Sequence, residues 1–206
     1  EKDHLSTPNK IDSFTIPKLQ HFLNDSSMKV IFKSIAATFN EFDDYKEKIS
    51  VGMGNYSDIF NAGITHAQIG TFYSNFNATV LENDHVIWIG LDMYLGNDND
   101  IVKMLPPNTF PNYYKQKMDK KYIISDVFFS FLMTHHFNPM GDELLARMLS
   151  YGKIAYIMDK ILPFENDENK FRYTKEELNW CKKNEEYNAQ NGITGVNGSK
   201  WFTKHH

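Results

Sequence analysis

An α+β domain, with a small and mostly antiparallel sheet packed by several helices, is the fold class that three observations in the chain predict. The first is a helical hairpin: residues 122–136 and 142–162 stand either side of Phe137-Asn138-Pro139-Met140-Gly141, a stretch suited to turning. In its second arm Leu144, Met148, Tyr151, Ala155, Met158 and Leu162 recur every three or four residues, the spacing of a helix with one buried stripe. The second is a change of period between residues 67 and 91, where alternating and β-branched residues replace helical spacing. The third is a pair of helix starts, Asp25-Ser26-Ser27 and Thr174-Lys175-Glu176-Glu177. At 206 residues and 41% hydrophobic content, the chain is sized for one domain over 1–206 with a substantial core.

Taken in order, residues 1–16 are polar and weakly periodic and read as an N-terminal arm. Pro17 to Leu23 predicts a short helix with proline in its first turn, where the missing N–H is harmless. Asp25 caps a helix over 25–42, in which Met28, Ile31, Phe32, Ile35, Phe39 and Phe42 share a face. After the charged run Asp43 to Lys48, Gly52, Gly54 and Asn55 are expected to break any long element. Strands are expected at Ile69–Phe76 and Ala78–Glu82, and Glu82-Asn83-Asp84-His85 turns the chain into a third, Val86–Leu91. That strand is apolar on both faces, Val86 and Trp88 on one and Ile87, Ile89 and Leu91 on the other, so it belongs inside the sheet. Asn97 to Asp100 is a loop, and Pro106, Pro107 and Pro111 hold the next connection extended or in turns. Beyond the hairpin, Pro163 to Phe171 is an acidic loop, and the capping box at Thr174 opens a helix over 174–187. Residues 188–206 read as an irregular C-terminal segment ending in His205-His206, a candidate purification-tag remnant set aside from any metal argument.

Composition removes several function classes. A formal charge of −4 offers no chain-wide attraction for nucleic acid or anionic lipid, so no nucleic-acid partner is expected. Cys181 is the one cysteine, which rules out an internal disulfide and a four-cysteine zinc site. No apolar run reaches the roughly 18 residues that crossing a bilayer requires. The opening Glu1-Lys2-Asp3-His4, with neither initiator Met nor apolar leader, reads either as an engineered start or as a mature product whose targeting segment, if any, is gone.

The candidate chemistry is thin. Zinc peptidases place two histidines four apart on a helix with a glutamate beside the first, and that spacing is absent. His135 and His136 are consecutive, about 100° apart around a helix, and are expected to be polar residues at a helix end. His66 and His85 flank strands and read as turn residues. Asp98 and Asp100 suggest a cation loop, but Lys103 and Thr109 stand at its sixth and twelfth positions, where glycine and glutamate are needed. Cys181, beside Trp180, Lys182 and Lys183, reads as a small core residue rather than a nucleophile. Lys115, Lys117, Lys120 and Lys121, near Tyr113 and Tyr114, form a basic run that reads as a solvated helix face. No nucleophile elbow, phosphate loop or dinucleotide fingerprint occurs. No catalytic residue, cofactor-binding residue or metal ligand is therefore assigned, and no cofactor is expected.

Two stretches together resemble the gliding-motility-associated lipoprotein B (GldB-like) family of gliding and related bacteria. One is Phe72-Tyr73-Ser74-Asn75-Phe76 followed by Ile89-Gly90-Leu91-Asp92-Met93-Tyr94-Leu95-Gly96. The other runs from Met148 to Tyr156, through Leu162-Pro163, to Tyr173–Cys181 and Asn184-Glu185. The family looks like a degenerate relative of zincin-type peptidases, in which an edge strand precedes the helix that carries the metal-binding histidines. Strand Val86–Leu91 and helix Tyr122–His136 would take those roles here, with Asp126 the one carboxylate on the helix and Tyr151-Gly152 where a glutamate ligand often stands.

The resemblance implies a zincin-like scaffold without the metal-binding motif. It implies a cell-envelope protein required for gliding and associated protein export, held by a lipid anchor that is absent from this chain, periplasm-facing or at the surface. With no catalytic constellation in the chain, a non-catalytic, protein-binding role is expected. Its partners would be other envelope proteins of the gliding or secretion machinery, met through exposed aromatics and the Lys115–Lys121 stretch. Two rivals stand beside this: a metal-dependent peptidase with a non-standard site, and a small-molecule binder using an aromatic cleft near Trp88 and Tyr94.

Overall fold

The structure, a computed structural model, describes residues 15–61, 68–83, 86–137 and 143–184. The chain divides into two compact units, Glu1–Asn40 and Glu41–His206.

In the first unit, α1 (Thr15–Asn24) carries Pro17 in its opening turn and α2 (Ser26–Thr38) follows at once. Asp25 lies between them, and its Oδ1 accepts from Ser27 N at 2.7 Å and Met28 N at 3.2 Å, two N–H groups that the helix itself cannot satisfy. Phe22 and Phe32 meet edge to face, their centroids 6.1 Å apart. No α2 residue is fully buried, and the helix stops at Thr38, short of Phe42.

The second unit opens with a departure from expectation. Residues 43–60, read as interrupted, form one helix, α3 (Asp43–Phe60). Two of the supposed breakers, Gly52 and Asn55, are its contact points. A Cβ on Gly52 would lie 2.4 Å from Phe128 Cζ, so glycine there lets α3 approach a ring that is fully buried. Asn55 Nδ2 donates to the Ile161 carbonyl at 2.9 Å, binding α3 to the end of a distant helix.

The sheet has three strands among the described residues: β1 (Gln68–Phe72), β2 (Val80–Glu82) and β3 (Val86–Gly90), in the order β1-β3-β2. The β2–β3 hairpin is antiparallel, Val80 facing Ile89 and Glu82 facing Ile87, as expected. The β1 strand runs parallel to β3, Gln68 beside Val86 and Phe72 beside Gly90. The sheet is therefore mixed and not mostly antiparallel. The reason is the loop 73–79, which returns the chain to the far side of β3 rather than beside β1. Strand β3 is central, so it is not the edge strand that the zincin comparison gave it as a role. Its two faces also differ: Ile87 and Ile89 are buried, whereas Trp88 is 38% exposed and lies over Gly70, where a Cβ would come within 2.4 Å of the ring.

A 3₁₀ turn at Leu91–Tyr94 leaves β3, and every residue in it is buried. Short helices α4 (Asp100–Met104) and α5 (Asn112–Lys115) follow, the first capped by the Asn99 side chain. Then α6 (Ile123–His136) and α7 (Leu144–Ile161) form the expected hairpin; its turn at 138–142 lies outside the described residues. The buried stripe of α7 is Ile154, Ile157, Met158 and Ile161, while Leu144 is 51% exposed. The stripe expected from Leu144 onward thus faces the core only at its end. Finally α8 (Asp167–Phe171) lies within the expected loop, and α9 (Lys175–Lys183) starts at the capping box, with Glu177 N on Thr174 Oγ1 at 3.2 Å and Thr174 N on Glu177 Oε2 at 2.8 Å. No described helix is long and apolar enough to cross a membrane.

Candidate functional site

Helix α6 carries one carboxylate into the core. Residues 123–128 are all buried, and Asp126 in the first turn is among them. A buried carboxylate needs partners that replace water. Tyr94, delivered by the 3₁₀ turn after β3, donates its hydroxyl to Asp126 Oδ2 at 2.8 Å. Arg172 Nη1 reaches Oδ1 at 2.8 Å and Oδ2 at 2.9 Å. Arg172 ends α8 in the left-handed region, at φ 56°, which costs a non-glycine residue on the order of 1 kcal/mol. The pairing with Asp126 offsets that strain.

A reciprocal clasp completes the network. Arg172 Nη2 donates to the Lys117 carbonyl at 2.6 Å, and Lys117 Nζ donates to the Arg172 carbonyl. The guanidinium also lies over the Tyr122 ring, 4.8 Å from its centroid. Burial pushes the Asp126 carboxyl up, and the Arg172 charge with the two hydrogen-bonded partners pulls it partly back. Burial and the neighbouring Asp126 charge hold Tyr94 well above the usual phenol range, so it stays a donor. Burial lowers the Lys117 ammonium, opposed by the Glu177 charge.

Above this network opens a cleft of about 500 Å³. Met93, Phe129, Met133, Tyr151, Met158 and Phe171 contribute its apolar wall, and Lys117, Asp126 and Arg172 its polar floor. A second carboxylate, Asp92, lies at 0% exposure nearby in sequence and does different work. It accepts from Ser74 N and Ser74 Oγ at 2.9 Å each and from Phe76 N at 2.6 Å. That clamps the 73–79 loop, where Asn75 and Phe76 take positive φ. Both stretches quoted for the family resemblance are therefore built into this region. Asp92 and Tyr94 come from the first, and Tyr151 and Gly152 line the cleft from the second.

The residues singled out from sequence are otherwise dispersed. His135 Nε2 pairs with Glu82 Oε1 at 2.8 Å, while His136 Nε2 meets the Tyr56 hydroxyl at 2.7 Å. Burial lowers His136, helped by the Lys153 and His135 charges. Cys181 donates its thiol to the Glu177 carbonyl at 2.8 Å and is pushed up by burial. Asp100 is exposed beside Lys103, 3.7 Å away. His66 and His85 lie outside the described residues. Among the described residues, no three His, Cys, Asp or Glu side chains converge on one point.

The basic run needs correction as a contact surface. Lys115 is buried, its Nζ capping α4 through the Lys103 and Leu105 carbonyls at 2.9 and 2.7 Å, and Lys117 belongs to the cleft floor. Only Lys120 and Lys121 of the four are exposed. Nor do Trp88 and Tyr94 share a cleft. Tyr94 has 0% exposure beneath the floor, and Trp88 is on the opposite sheet face from Ile87 and Ile89. Arg172 was missed altogether, although composition held a signal: of 22 basic residues two are arginines, and an arginine in a lysine-rich chain points to a bidentate partner.

The family model described as gliding motility protein GldB matches residues 3–188. No curated protein and no solved structure matches the chain.

Proposed function

Since the chain belongs to the gliding motility protein GldB family, we propose that it is a non-catalytic, lipid-anchored component of the cell envelope that binds other proteins of the gliding or associated export machinery. The family's lipoprotein designation suggests the anchor and the envelope location. The observation that carries the non-catalytic part is the state of Asp126. It stands on the helix where a zincin would mount its metal site, and both of its oxygens are held by Arg172 and Tyr94. A carboxylate so committed is a structural anchor, not a general base. The zincin-like part of the reading is carried by α6 and by Tyr151-Gly152 beside the cleft, not by the strand.

The partner surface in this reading is the outer face of α7. Leu145, Leu149 and Tyr156 recur along it at 46%, 66% and 66% exposure, more apolar area than a solvated helix face normally presents. Affinity capture from the envelope of a gliding bacterium tests it. The unaltered protein should retain a partner that a Leu149→Glu, Tyr156→Glu double variant loses while remaining folded. Equal recovery by both would remove α7 from the interface. Near-stoichiometric zinc in protein purified without a histidine tag, with proteolysis lost in His135→Ala, would instead establish the peptidase reading.

A further inference from the structure

The cleft floor carries a cation that is in no direct ion pair among the described residues, the carboxylate acting on it being that of Glu177. Arg172 is neutralised by Asp126, and Lys170, which also lines the cleft, is held by Asp159 at 2.6 Å and Asp167 at 3.2 Å. Lys117 has no ion-pair partner among the described residues, and its Nζ spends one donor on the Arg172 carbonyl. Its remaining donors are available to whatever enters.

A glycine of α7 also lines the cleft. Gly152 lies in the interior of α7, where glycine costs about 0.5–1 kcal/mol relative to alanine. Gly52, Gly70 and Gly90 each admit a close neighbour, whereas at Gly152, as at Gly54 and Gly96, nothing lies within 4 Å of where a Cβ would stand. Open space therefore adjoins the cleft where Gly152 lines it. The wall around it is lined by thioethers and rings, among them Met133, Met158 and Tyr151, surfaces that suit a flexible apolar chain. The volume of about 500 Å³ falls in the range of roughly 300–1,000 Å³ typical of small-molecule sites.

We propose that the cleft binds a single-chain amphiphile with an anionic head, the head on Lys117 and the chain along the methionine- and aromatic-lined wall beside Gly152. Gly152 adjoins the proposed partner face, one turn from Leu149 and Tyr156 on α7, so the probe series and Lys117→Met, which leave that face unaltered, separate the two readings.

Calorimetric titration of the full chain with dodecanoate, dodecyl phosphate and dodecanol, each kept below its aggregation threshold, tests the site. At least one anionic probe binds with one-to-one stoichiometry and about tenfold more tightly than the alcohol, the margin expected of a charge-assisted hydrogen bond. Whichever of the two is tighter identifies the head as carboxylate or phosphate. In Gly152→Leu, which puts a side chain into the open space beside the cleft without meeting a neighbour at its Cβ, binding of all three is lost while the melting temperature is kept or raised. In Lys117→Met the preference for the anionic probes disappears and the alcohol still binds. Equal affinity for the alcohol and both anions would overturn the proposal, as would no binding at all. So would undiminished binding to folded Gly152→Leu. Should Lys117→Met fail to fold, the probe series and Gly152→Leu decide the matter alone.

Discussion

Two buried aspartates, Asp92 and Asp126, sit at opposite ends of the same problem. Asp92 is satisfied by neutral donors from one local loop, two of them main-chain N–H groups, and it is sealed beside Gly90, whose Cβ would lie 2.2 Å from the Ala78 carbonyl oxygen. Asp126 is satisfied by a full positive charge from a helix end far along the chain, and its partner Arg172 keeps 31% of its side chain exposed at the cleft. Neutral local donors close a region completely. A charged partner brought from a distance holds two elements together and leaves an opening between them.

The widest separation between the two regions is expected from Arg172→Ala. Stranding Asp126 as an unpaired buried charge should destabilise the protein by about 3–5 kcal/mol in denaturant titration at neutral pH. The sign of the pH dependence follows from burial, which raises the Asp126 carboxyl above its ordinary value of 3.8. A raised carboxyl contributes stability that is fully present below the unfolded value and lost as pH rises through the folded one. Without Arg172 the carboxyl rises further, so the deficit of the variant relative to the unaltered protein should shrink as pH falls from neutral toward the carboxylate range. A deficit that grew on acidification would assign Arg172 a role other than neutralising Asp126.

Asp92→Ala should cost about 2–3 kcal/mol by leaving the Ser74 and Phe76 N–H groups without an acceptor. Limited proteolysis should then cut first within 73–79; cutting elsewhere would show that Asp92 does not hold that loop. The glycines repeat the contrast on a smaller scale. Gly90→Ala forces a methyl against main chain and should cost about 1–3 kcal/mol. Gly152→Ala, entering open space on a helix, should stabilise by about 0.5–1 kcal/mol. Melting curves that moved both glycine variants the same way would erase the distinction between sealed and open regions.

What could be read from the chain was what its neighbours in sequence determine. Asp25, the Thr174–Glu177 box and the β2–β3 hairpin are local devices, and each stands where it was expected. The α3 helix was hidden because Gly52 owes its place to Phe128, a residue in another helix. The parallel pairing of β1 was hidden because it depends on the loop that Asp92 pins. In α7 apolar residues occupy nearly every side, from Leu144 through Tyr156 to Ile161, so periodicity could not choose the buried face. Of the cleft, Asp126 was visible as the lone carboxylate of its helix. Its partners were not, because Tyr94 and Arg172 approach it only in the folded chain. Lys115 misled for a related reason, since a long apolar stem lets an ammonium reach buried carbonyls from a position that looks solvated.

Lys117 and Arg172 each use a side chain to grip the other's main chain, so the two segments are tied together twice at one point. The strands of peptide on either side of that knot, around residues 115–122 and 170–174, should therefore loosen in one step. Their amide hydrogens would exchange with deuterated solvent at a shared rate, behaving as one cooperative patch although some fifty residues of chain separate them.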